Sequence, residues 1–420
     1  MSYAPAVPVA AAPSQGQIRV GVRATYAAFA GSGFAFASWA SRIPQVREQL
    51  HLSPARLGLV LLAIAAGSLV SLPLAGPLVH RLGSRRTVTV MVLILAVGLT
   101  LIAAGYLVGL LPVVIGLFLL GFGSGAWDVA MNVQAALLEG YLGRSIMSRF
   151  HAGWSLGTVA GALLGALLVT LRVPVTAHLL AAAVGTAVAV CLAARGFVPD
   201  VTDPAGAPAA AGPAAAAGAG ESRQEEPGRR SALAAWREPR TVLIGVFVLA
   251  FAFAEGTGND WISVATIGGY HAPAAVGTLA FAIFLAAMTT GRWFGPGLLD
   301  RFGRVPVIRA LAACATVGVL VFAFAPALPI ALAGVILWGI GTSLGFPVGM
   351  SASADDPRHA AGRVSVVASI GYCAFLAGPP SIGFLGDHVT VVHAVTAVAV
   401  LLALAASISG VIAPPNTARD

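Results

Sequence analysis

Long apolar segments separated by short polar ones run through most of this chain. The segments Leu57–Val79, Val88–Gly109 and Ala310–Phe324 contain no acidic or basic side chain. A helix of about 20 such residues crosses a hydrocarbon core of about 30 Å, because a helix satisfies its own backbone hydrogen bonds in lipid. A β-barrel would instead show short segments of alternating polarity, and these are absent. The pattern therefore predicts an all-α membrane protein.

The same pattern predicts twelve transmembrane helices, in two sets of six that are separated by a polar stretch. The first set is expected near 20–41, 57–79, 87–109, 112–136, 151–171 and 175–195. The second set is expected near 241–264, 276–298, 305–325, 328–350, 364–384 and 390–412.

Composition agrees with a membrane protein and argues against a soluble one. The chain is 58% hydrophobic and 10% charged, whereas soluble domains carry about 25% charged residues. The net charge of +8 comes from 24 arginines with no lysine, and most of them lie between the apolar segments. This distribution suits membrane topology and contact with the lipid bilayer better than nucleic-acid binding. The three cysteines lie inside apolar segments without metal-ligand spacing, so no metal and no cofactor are expected.

Five regions follow from these segments. The first 17 residues have no basic segment followed by an apolar one, so no cleaved signal peptide is expected. The linker is rich in Ala, Gly and Pro, with mixed charge, and cannot bury a core. The regions are a disordered tail (1–17), a first six-helix bundle (18–196), a cytoplasmic linker (197–240), a second six-helix bundle (241–413) and a C-terminal tail (414–420).

Arginine distribution predicts the orientation. With the N-terminus inside, the outer loops hold only Arg42, Arg47, Arg56 and Arg172, and nineteen other arginines lie on the inner side. Because cytoplasmic loops carry an excess of basic residues, both termini and the linker are expected in the cytoplasm. The expected location is the cell membrane (plasma or inner membrane), as a multi-pass protein.

The two sets of helices resemble each other. Four pairs of segments match in order, with offsets of 222, 220, 218 and 214 residues, which indicates duplication of a six-helix unit. An even number of helices keeps the copies parallel, so the bundles should be related by a pseudo-twofold axis along the membrane normal. The pairs are Phe29–Trp39 with Phe251–Trp261, His80–Gly83 with Asp300–Gly303, Gly121–Ser124 with Gly339–Thr342, and Arg149–Gly157 with Arg363–Gly371.

Several short motifs resemble those of the major facilitator superfamily. Leu298–Arg304 is similar to the Gly-x-x-x-Asp-Arg-x-Gly-Arg-Arg loop of that family, and Leu78–Arg86 is a partial copy with His80 in place of Asp. Trp127–Asn132 resembles a fourth-helix segment of fucose-permease-like symporters. Phe253–Trp261 and Arg363–Ala368 resemble the uncharacterised YbjJ-type branch.

The resemblance implies the major facilitator fold, with the first, fourth, seventh and tenth helices around a central cavity. It also implies a transporter that functions as a monomer. The sequence departs from fucose permease in one functional place, because that protein has an acid in its first helix and Phe29–Trp39 has none.

Four charged side chains fall well inside the predicted spans: Asp128, Glu255, Asp260 and Arg292. A charge at the centre of a span costs about 2.5–3.5 kcal/mol on the insertion scale, so a partner or a function should compensate it. Asp128 and Glu255 are the candidate proton-coupling acids, because a desolvated carboxyl group can take up and release a proton. The alternative is that each is a permanently paired residue that fixes helix packing.

Polar and aromatic residues near these acids are the candidate substrate-binding residues. Amides and carboxylates beside tryptophan suit a small polar solute, possibly a sugar-like one, through hydrogen bonds and ring stacking. The two tryptophans could equally anchor the helices at the membrane interface. The candidates are Asn132, Asn259, Asp260, Trp261 and Trp39.

Charged residues at the inner ends of the helices are candidate gating residues, which would hold one conformation closed. Arg292 is expected to extend to the inner surface or to pair with Asp300, with substrate contact as the alternative. His178 and His393 are single histidines near outer helix ends, where metal binding is not expected. The candidate gating residues are Asp300, Arg301, Arg304, Arg81 and Arg149.

Three classes of function remain after these observations. No Walker motif, HExxH or GxSxG is present, so the sequence predicts no ATP-driven engine and no enzyme. The acids on two cavity helices favour a secondary active transporter, coupled to protons, that moves a small-molecule substrate by alternating access. An exporter of drugs or metabolites is the alternative. A non-transporting membrane sensor is disfavoured, because the linker cannot form a folded cytoplasmic domain.

Overall fold

In the computed structural model, every element of regular secondary structure within residues 13–143, 146–200, 235–356 and 359–414 is helical. The predicted all-α class is therefore confirmed. The α-helices are α1 (Gln15–Ala40), α2 (Ile43–Gln49), α3 (Pro54–Val108), α4 (Leu110–Leu142), α5 (Met147–Thr170), α6 (Val175–Ala194), α7 (Pro239–Tyr270), α8 (Ala274–Phe302), α9 (Arg304–Phe324), α10 (Leu328–Thr342), α11 (Gly345–Ser353), α12 (Ala360–Val389), α13 (Val391–Ala394) and α14 (Ala397–Ile408), followed by a 3-10 helix, Ser409–Ile412.

These elements make twelve membrane crossings within the described residues. α3 provides two crossings, α10 with α11 provides one, and α13 with α14 and the 3-10 helix provides one. α4–α9 and α12 provide one each. α1, with 26 residues, is long enough for one crossing although it is less apolar, whereas the seven residues of α2 are too few to cross. Six crossings belong to the first half (α1–α6) and six to the second half (α7–α14). This is the two-bundle architecture that the sequence predicts.

The matched glycines of the two halves share an unusual backbone conformation. Gly83 has φ 79° and ψ 159°, and Gly303 has φ 81° and ψ 164°. Side chains disfavour this region, so glycine allows each chain to turn sharply between two crossings. In the first half the turn is further held by Asp200, which accepts hydrogen bonds from the Ser84 N–H at 2.7 Å and from its hydroxyl at 2.5 Å.

The limits of the regions differ from the predicted ones at two places. α1 begins at Gln15 rather than after residue 17, because Ser14 and Gln17 cap it through reciprocal hydrogen bonds of 2.8 and 3.3 Å. α7 begins at Pro239, inside the predicted linker. The rest of the predicted tails and most of the linker (1–12, 201–234 and 415–420) lie outside the described residues.

The tenth crossing is broken, whereas the sequence pattern predicts one helix over 328–350. α10 ends at Thr342 and α11 begins at Gly345. Pro347 lacks an N–H group, so it cannot donate to the carbonyl of Ser343, four residues earlier. The break therefore leaves a main-chain acceptor available within the membrane-spanning region.

The two halves meet closely at one end, here called the closed end. α3 packs on α12 and α5 packs on α8. At Gly58 a side chain would collide with the carbonyl group of Pro379, so glycine permits direct backbone contact between the halves. Asp387 accepts hydrogen bonds from the Ser53 hydroxyl at 3.1 Å and from the Ala55 N–H at 3.2 Å. The opposite end is here called the arginine-rich end.

Candidate functional site

Asp128 lies in the middle of α4, about 20 Å from the end of the helix at Leu142. One turn further, the Asn132 amide donates to the Asp128 main-chain oxygen at 2.8 Å and to its carboxylate Oδ1 at 3.3 Å. Tyr372 of α12, which belongs to the other half, lies within electrostatic range of Asp128. Among the described residues, no basic side chain forms an ion pair with Asp128.

The second deep acid, Glu255 of α7, is paired with a cation. Arg292 Nη2 of α8 lies 2.9 and 2.8 Å from the two carboxylate oxygens of Glu255. The side chains are 15% exposed for Glu255 and 27% exposed for Arg292, so the pair is only partly shielded. The expected partner of Arg292, Asp300, is exposed instead and makes no ion pair with any other described residue. The pairing with Glu255 corrects that expectation.

The helix break next to α8 fixes the orientation of Arg292. Its Nε donates to the carbonyl oxygen of Ser343 at 3.3 Å. This carbonyl is the one that Pro347 leaves without its helical donor. A break encoded by one proline therefore positions the guanidinium for Glu255.

His151 of α5, in the first half, lies near the Glu255–Arg292 pair. It is exposed and lies within electrostatic range of Arg292, which belongs to the second half. Its ring packs edge-on against Phe29 of α1, with 5.1 Å between centroids and 77° between planes. His151 therefore lies near the ion pair of the other half, at the start of α5.

The two candidate tryptophans are fully enclosed. Trp39 is 1% exposed and Trp261 is 0% exposed, and their indole N–H groups have no partner among the described residues. Burial inside the protein excludes a lipid-interface position for both side chains in this conformation. A solute could reach either of them only after a rearrangement.

Two of the other three candidate substrate residues, Asn259 and Asp260, keep polar atoms without a partner among the described residues. Asn132 is buried and engaged with Asp128, as described above. Asn259 is partly exposed, but its Oδ1 is buried and has no partner. Asp260 is partly exposed and makes no hydrogen bond or ion pair with a described residue. One turn before Asp260, Gly256 lies against Phe375 of α12, whose ring is 6.1 Å from that of Tyr372. The polar candidates and this aromatic pair therefore border the same inter-half space.

Of the five candidate gating residues, only Arg304 forms an ion pair within the described part of the chain. Its Nη1 lies 2.7 Å from Asp355, which Arg240 also contacts at 3.2 Å. Both partners belong to the second half. Arg301 lies with its guanidinium carbon 5.0 Å from the Phe302 ring centroid. The remaining three, Arg81, Arg149 and Asp300, are exposed.

A further ion pair at the arginine-rich end joins α12 to the start of α7. Arg363 Nε donates to Glu238 Oε2 at 2.6 Å, and Thr241 donates to the same oxygen at 2.8 Å. The hydrogen bond from Arg363 holds the pKa of Glu238 below its ordinary value. Like the Arg304 pair, this pair ties together helices of one half rather than the two halves.

Sequence analysis does not identify four of these participants: the Ser343 carbonyl, Tyr372, Glu238 and Asp355. Pro347 is the one signal for Ser343, because a proline inside an apolar segment frees the carbonyl four residues earlier. Tyr372 lies in an apolar stretch of α12, and its position near Asp128 depends on how the two halves pack together. No pattern in the sequence indicates that packing.

Comparison with known sequences finds transporters. The sequence model of the Major Facilitator Superfamily matches residues 25–379. An uncharacterized transporter of Sinorhizobium fredii is 30% identical over 372 residues, which cover 88% of this chain and 92% of that protein. An uncharacterized transporter of Yersinia pestis is 30% identical over 383 residues, which cover 90% of this chain and 92% of that protein.

Comparison with solved structures finds the same architecture. The nucleoside transporter NupG matches with a TM-score of 0.70 at 14% identity, over 94% of this chain and 98% of NupG. The E. coli fucose:proton symporter FucP matches with a TM-score of 0.62 at 16% identity, over 94% of this chain and 99% of FucP. At such identities the likeness shows a common fold of two six-helix halves.

Proposed function

The chain belongs to the Major Facilitator Superfamily, a family of membrane transporters, and from this premise we propose that it couples the movement of a small polar solute to protons. The solute is of the sugar-like, hydroxylated class. It binds in the space between the halves and crosses by alternating access. The similarity to a fucose:proton symporter supports both parts of this proposal.

Asp128 is the observation that carries the proton coupling. Its carboxylate lies deep in the membrane-spanning region, within electrostatic range of Tyr372 in the other half, and has the Asn132 amide as its hydrogen-bond donor. No cation among the described residues neutralises it. Protonation would therefore remove the free-energy cost of holding this charge inside the membrane-spanning region. Glu255 differs, because Arg292 already neutralises it. Glu255 can therefore take up a proton only when this ion pair opens.

The solute site is proposed between α4 and α7. Asn132, Asn259 and Asp260 supply the amide and carboxylate groups that a hydroxylated solute requires. The unpartnered Oδ1 of Asn259 supports this role, because a buried acceptor without a donor costs about 1–3 kcal/mol that a solute hydroxyl would recover. Trp39 and Trp261 then lie behind these groups, or contact the solute only after a rearrangement that exposes them.

Orientation follows from the arginine distribution. If the arginine-rich end is cytoplasmic, the closed end faces outside, and the structure is an inward-facing conformation. Labelling in intact cells tests this topology. A cysteine in place of Glu48, which is exposed at the closed end, should react with an impermeant reagent, and one in place of Ser351 should not. The reverse result would overturn the orientation.

A transport assay tests the proposed function. Purified protein in liposomes is given an imposed pH gradient and a panel of radiolabelled sugars, polyols and nucleosides. We expect one hydroxylated solute to accumulate, and Asp128→Asn to abolish accumulation while it preserves exchange down the solute gradient. The amide keeps the size of the side chain but does not titrate. Normal accumulation by Asp128→Asn would exclude this residue as the coupling group.

One observation favours a second candidate, an exporter of lipophilic compounds. The rings of Tyr372 and Phe375 border the same space, and Phe375 is 36% exposed. The two functions respond differently to substitution. Asn259→Ala should weaken transport of a hydroxylated solute and leave a lipophilic one unaffected, whereas Phe375→Ala should do the opposite. Resistance of host cells to several unrelated lipophilic cations, without transport of a polar solute, would replace the first proposal with the second.

A further inference from the structure

A cavity at the arginine-rich end lies between α3 and α6, both of the first half. Its volume is about 530 Å³, and three arginines line it together with Leu82, Thr89 and Val90 of α3 and Cys191 of α6. Arg85 and Arg86 lie two and three residues after the turn at Gly83, where the third crossing begins. Arg195 directly follows the last residue of α6, where the sixth crossing ends. The three arginines therefore lie at the level where the membrane-spanning segments meet the polar surface.

These three arginines have no anionic partner among the described residues. All three are exposed, and no acceptor in the described part of the chain bonds to their guanidinium groups. The carboxylate of Asp200, five residues after Arg195, bonds to Ser84 instead. Three positive charges that line one cavity repel each other, and a bound anion would offset this repulsion.

The matched turn of the second half is arranged differently. The first two arginines after Gly303 are Arg304 and Arg309, and both have partners within the protein. Arg304 pairs with Asp355 at 2.7 Å, and Arg309 Nε donates to the Ser409 hydroxyl at 2.8 Å. Protein groups thus satisfy the arginines that follow one turn, whereas the arginines that follow the other turn line a cavity with their donors free.

Exposed apolar side chains continue from the cavity towards the middle of the membrane. The spacing of three or four residues places each set on one face of its helix, and α3 packs against α6. Each set begins beside the cavity, because Val90 lines it and Leu192 follows Cys191. The exposed residues are Val90, Leu93 and Val97 on α3, and Leu192, Val188 and Val184 on α6.

We propose that this cavity binds the headgroup of an anionic phospholipid, in the leaflet at the arginine-rich end. Guanidinium groups form paired, charge-assisted hydrogen bonds with phosphate oxygens, and basic pockets between transmembrane helices suit such headgroups. A soluble phosphate ester would use the same donors but would make no use of the apolar surface on α3 and α6. The acyl chains of a lipid cover that surface while its phosphate lies at the arginines. The site is separate from the proposed solute site around Asp128 and does not depend on the transported solute.

Native mass spectrometry of the full-length protein in detergent tests the site. The delipidated protein is titrated with dioleoyl phosphatidylglycerol or with dioleoyl phosphatidylcholine, which has the same chains and no net charge. We expect the anionic lipid to bind at least about tenfold more tightly. Arg85→Gln, Arg86→Gln and Arg195→Gln should each weaken its binding about five-fold, as for the loss of one basic group near an anionic headgroup. Arg237→Gln is the matched control, because Arg237 is exposed at the same end but lies in the second half, outside the cavity. It should leave the affinity unchanged.

Equal affinities for the two lipids would overturn the proposal. So would an unchanged affinity for phosphatidylglycerol in all three variants, or an equal loss in Arg237→Gln, which would indicate attraction to the basic surface in general. Glycerol 3-phosphate in large excess separates the two sources of phosphate: a lipid site should keep its phosphatidylglycerol, and displacement would replace the lipid with a soluble ligand. Because the three side chains are exposed, each variant should keep its Tm within about 1 °C of the unsubstituted protein, so that a loss of binding does not reflect unfolding.

Discussion

The Glu255–Arg292 pair allows a quantitative test, because the two partners can be removed separately and together. Arg292→Gln removes the guanidinium group that lies 2.8 and 2.9 Å from the carboxylate oxygens and leaves Glu255 15% exposed without a cation. Breaking a buried pair from one side typically costs about 3–5 kcal/mol. Since Arg292 is 27% exposed, we expect the lower part of that range, about 3 kcal/mol.

The double variant should recover much of this loss. In Glu255→Gln with Arg292→Gln, two neutral amides occupy the site, and no charge is left unpaired. We therefore expect the double variant to be destabilised by only about 1 kcal/mol, because well-packed neutral groups replace buried pairs at little cost. The resulting coupling free energy is about 2 kcal/mol or more, well above the scatter of about 0.5 kcal/mol for independent sites.

Apparent Tm of the four proteins in detergent, at pH 7.5 and one heating rate, measures this cycle. The single variants should unfold several degrees below the unsubstituted protein. The Tm of the double variant should lie between those of the single variants and that of the unsubstituted protein. Asp300→Asn, on the same helix as Arg292 but exposed and without an ion pair, is the control and should leave the Tm within about 1 °C. If the losses of the single variants simply add in the double variant, the pair is not coupled and our account of Arg292 is wrong.

Two further predictions concern the ends of the molecule. Asp387→Asn weakens the bonds to Ser53 and Ala55 that join the halves, at about 1 kcal/mol, which opens the closed end about five-fold more often. Thiol labelling of a single cysteine at position 55 should accelerate accordingly in Asp387→Asn, whereas Glu238→Gln at the other end should leave the labelling rate unchanged. Equal labelling rates in the two variants and the parent protein would show that the Asp387 bonds do not hold the halves together. Glu238 has a pKa lowered chiefly by Arg363, so its contribution to stability is complete above its ordinary pKa of about 4.3 and is lost as pH falls through the lower folded value. Between pH 6 and pH 3 the Tm of the unsubstituted protein should therefore fall more than that of Glu238→Gln, and parallel curves would contradict this assignment.

The fold could be predicted because its determinants are local and repeated. Apolar segments of about 20 residues specify crossings, and the matched glycines, Gly83 and Gly303, specify the turns between them. The break in the tenth crossing could also be predicted from the sequence, because Pro347 indicates it. It was missed because an apolar segment of normal length satisfies the crossing pattern whether or not its helix is continuous.

The site could be predicted only in part, since its geometry depends on packing between distant segments. Their positions inside predicted spans identify Asp128, Glu255 and Arg292 as energetically costly charges. These positions cannot show which of the residues form pairs. For Arg292 the sequence suggests the inner surface, Asp300 two turns away, or the substrate, because a neighbour on the same helix is the only acidic partner that sequence makes visible. Its actual partner lies 37 residues away in α7. Likewise, an outer helix end suggested an interface position for Trp261, and only the packing of the halves shows that it is enclosed.

The distribution of charge pairs also accounts for the candidate gate. At the closed end, Asp387 bonds across the two halves, whereas at the arginine-rich end Arg304 and Arg363 pair within the second half. Arg81 and Asp300, which lie in matched segments of the two halves, remain exposed there. A transporter that alternates between two conformations needs attraction between its halves at only one end at a time, since simultaneous bonds at both ends would hold the solute inside. Bonds between the halves at the arginine-rich end are therefore expected in the opposite conformation, where the Asp387 bonds are broken. The exposed charges of the candidate gate are consistent with a gate that is open in this structure.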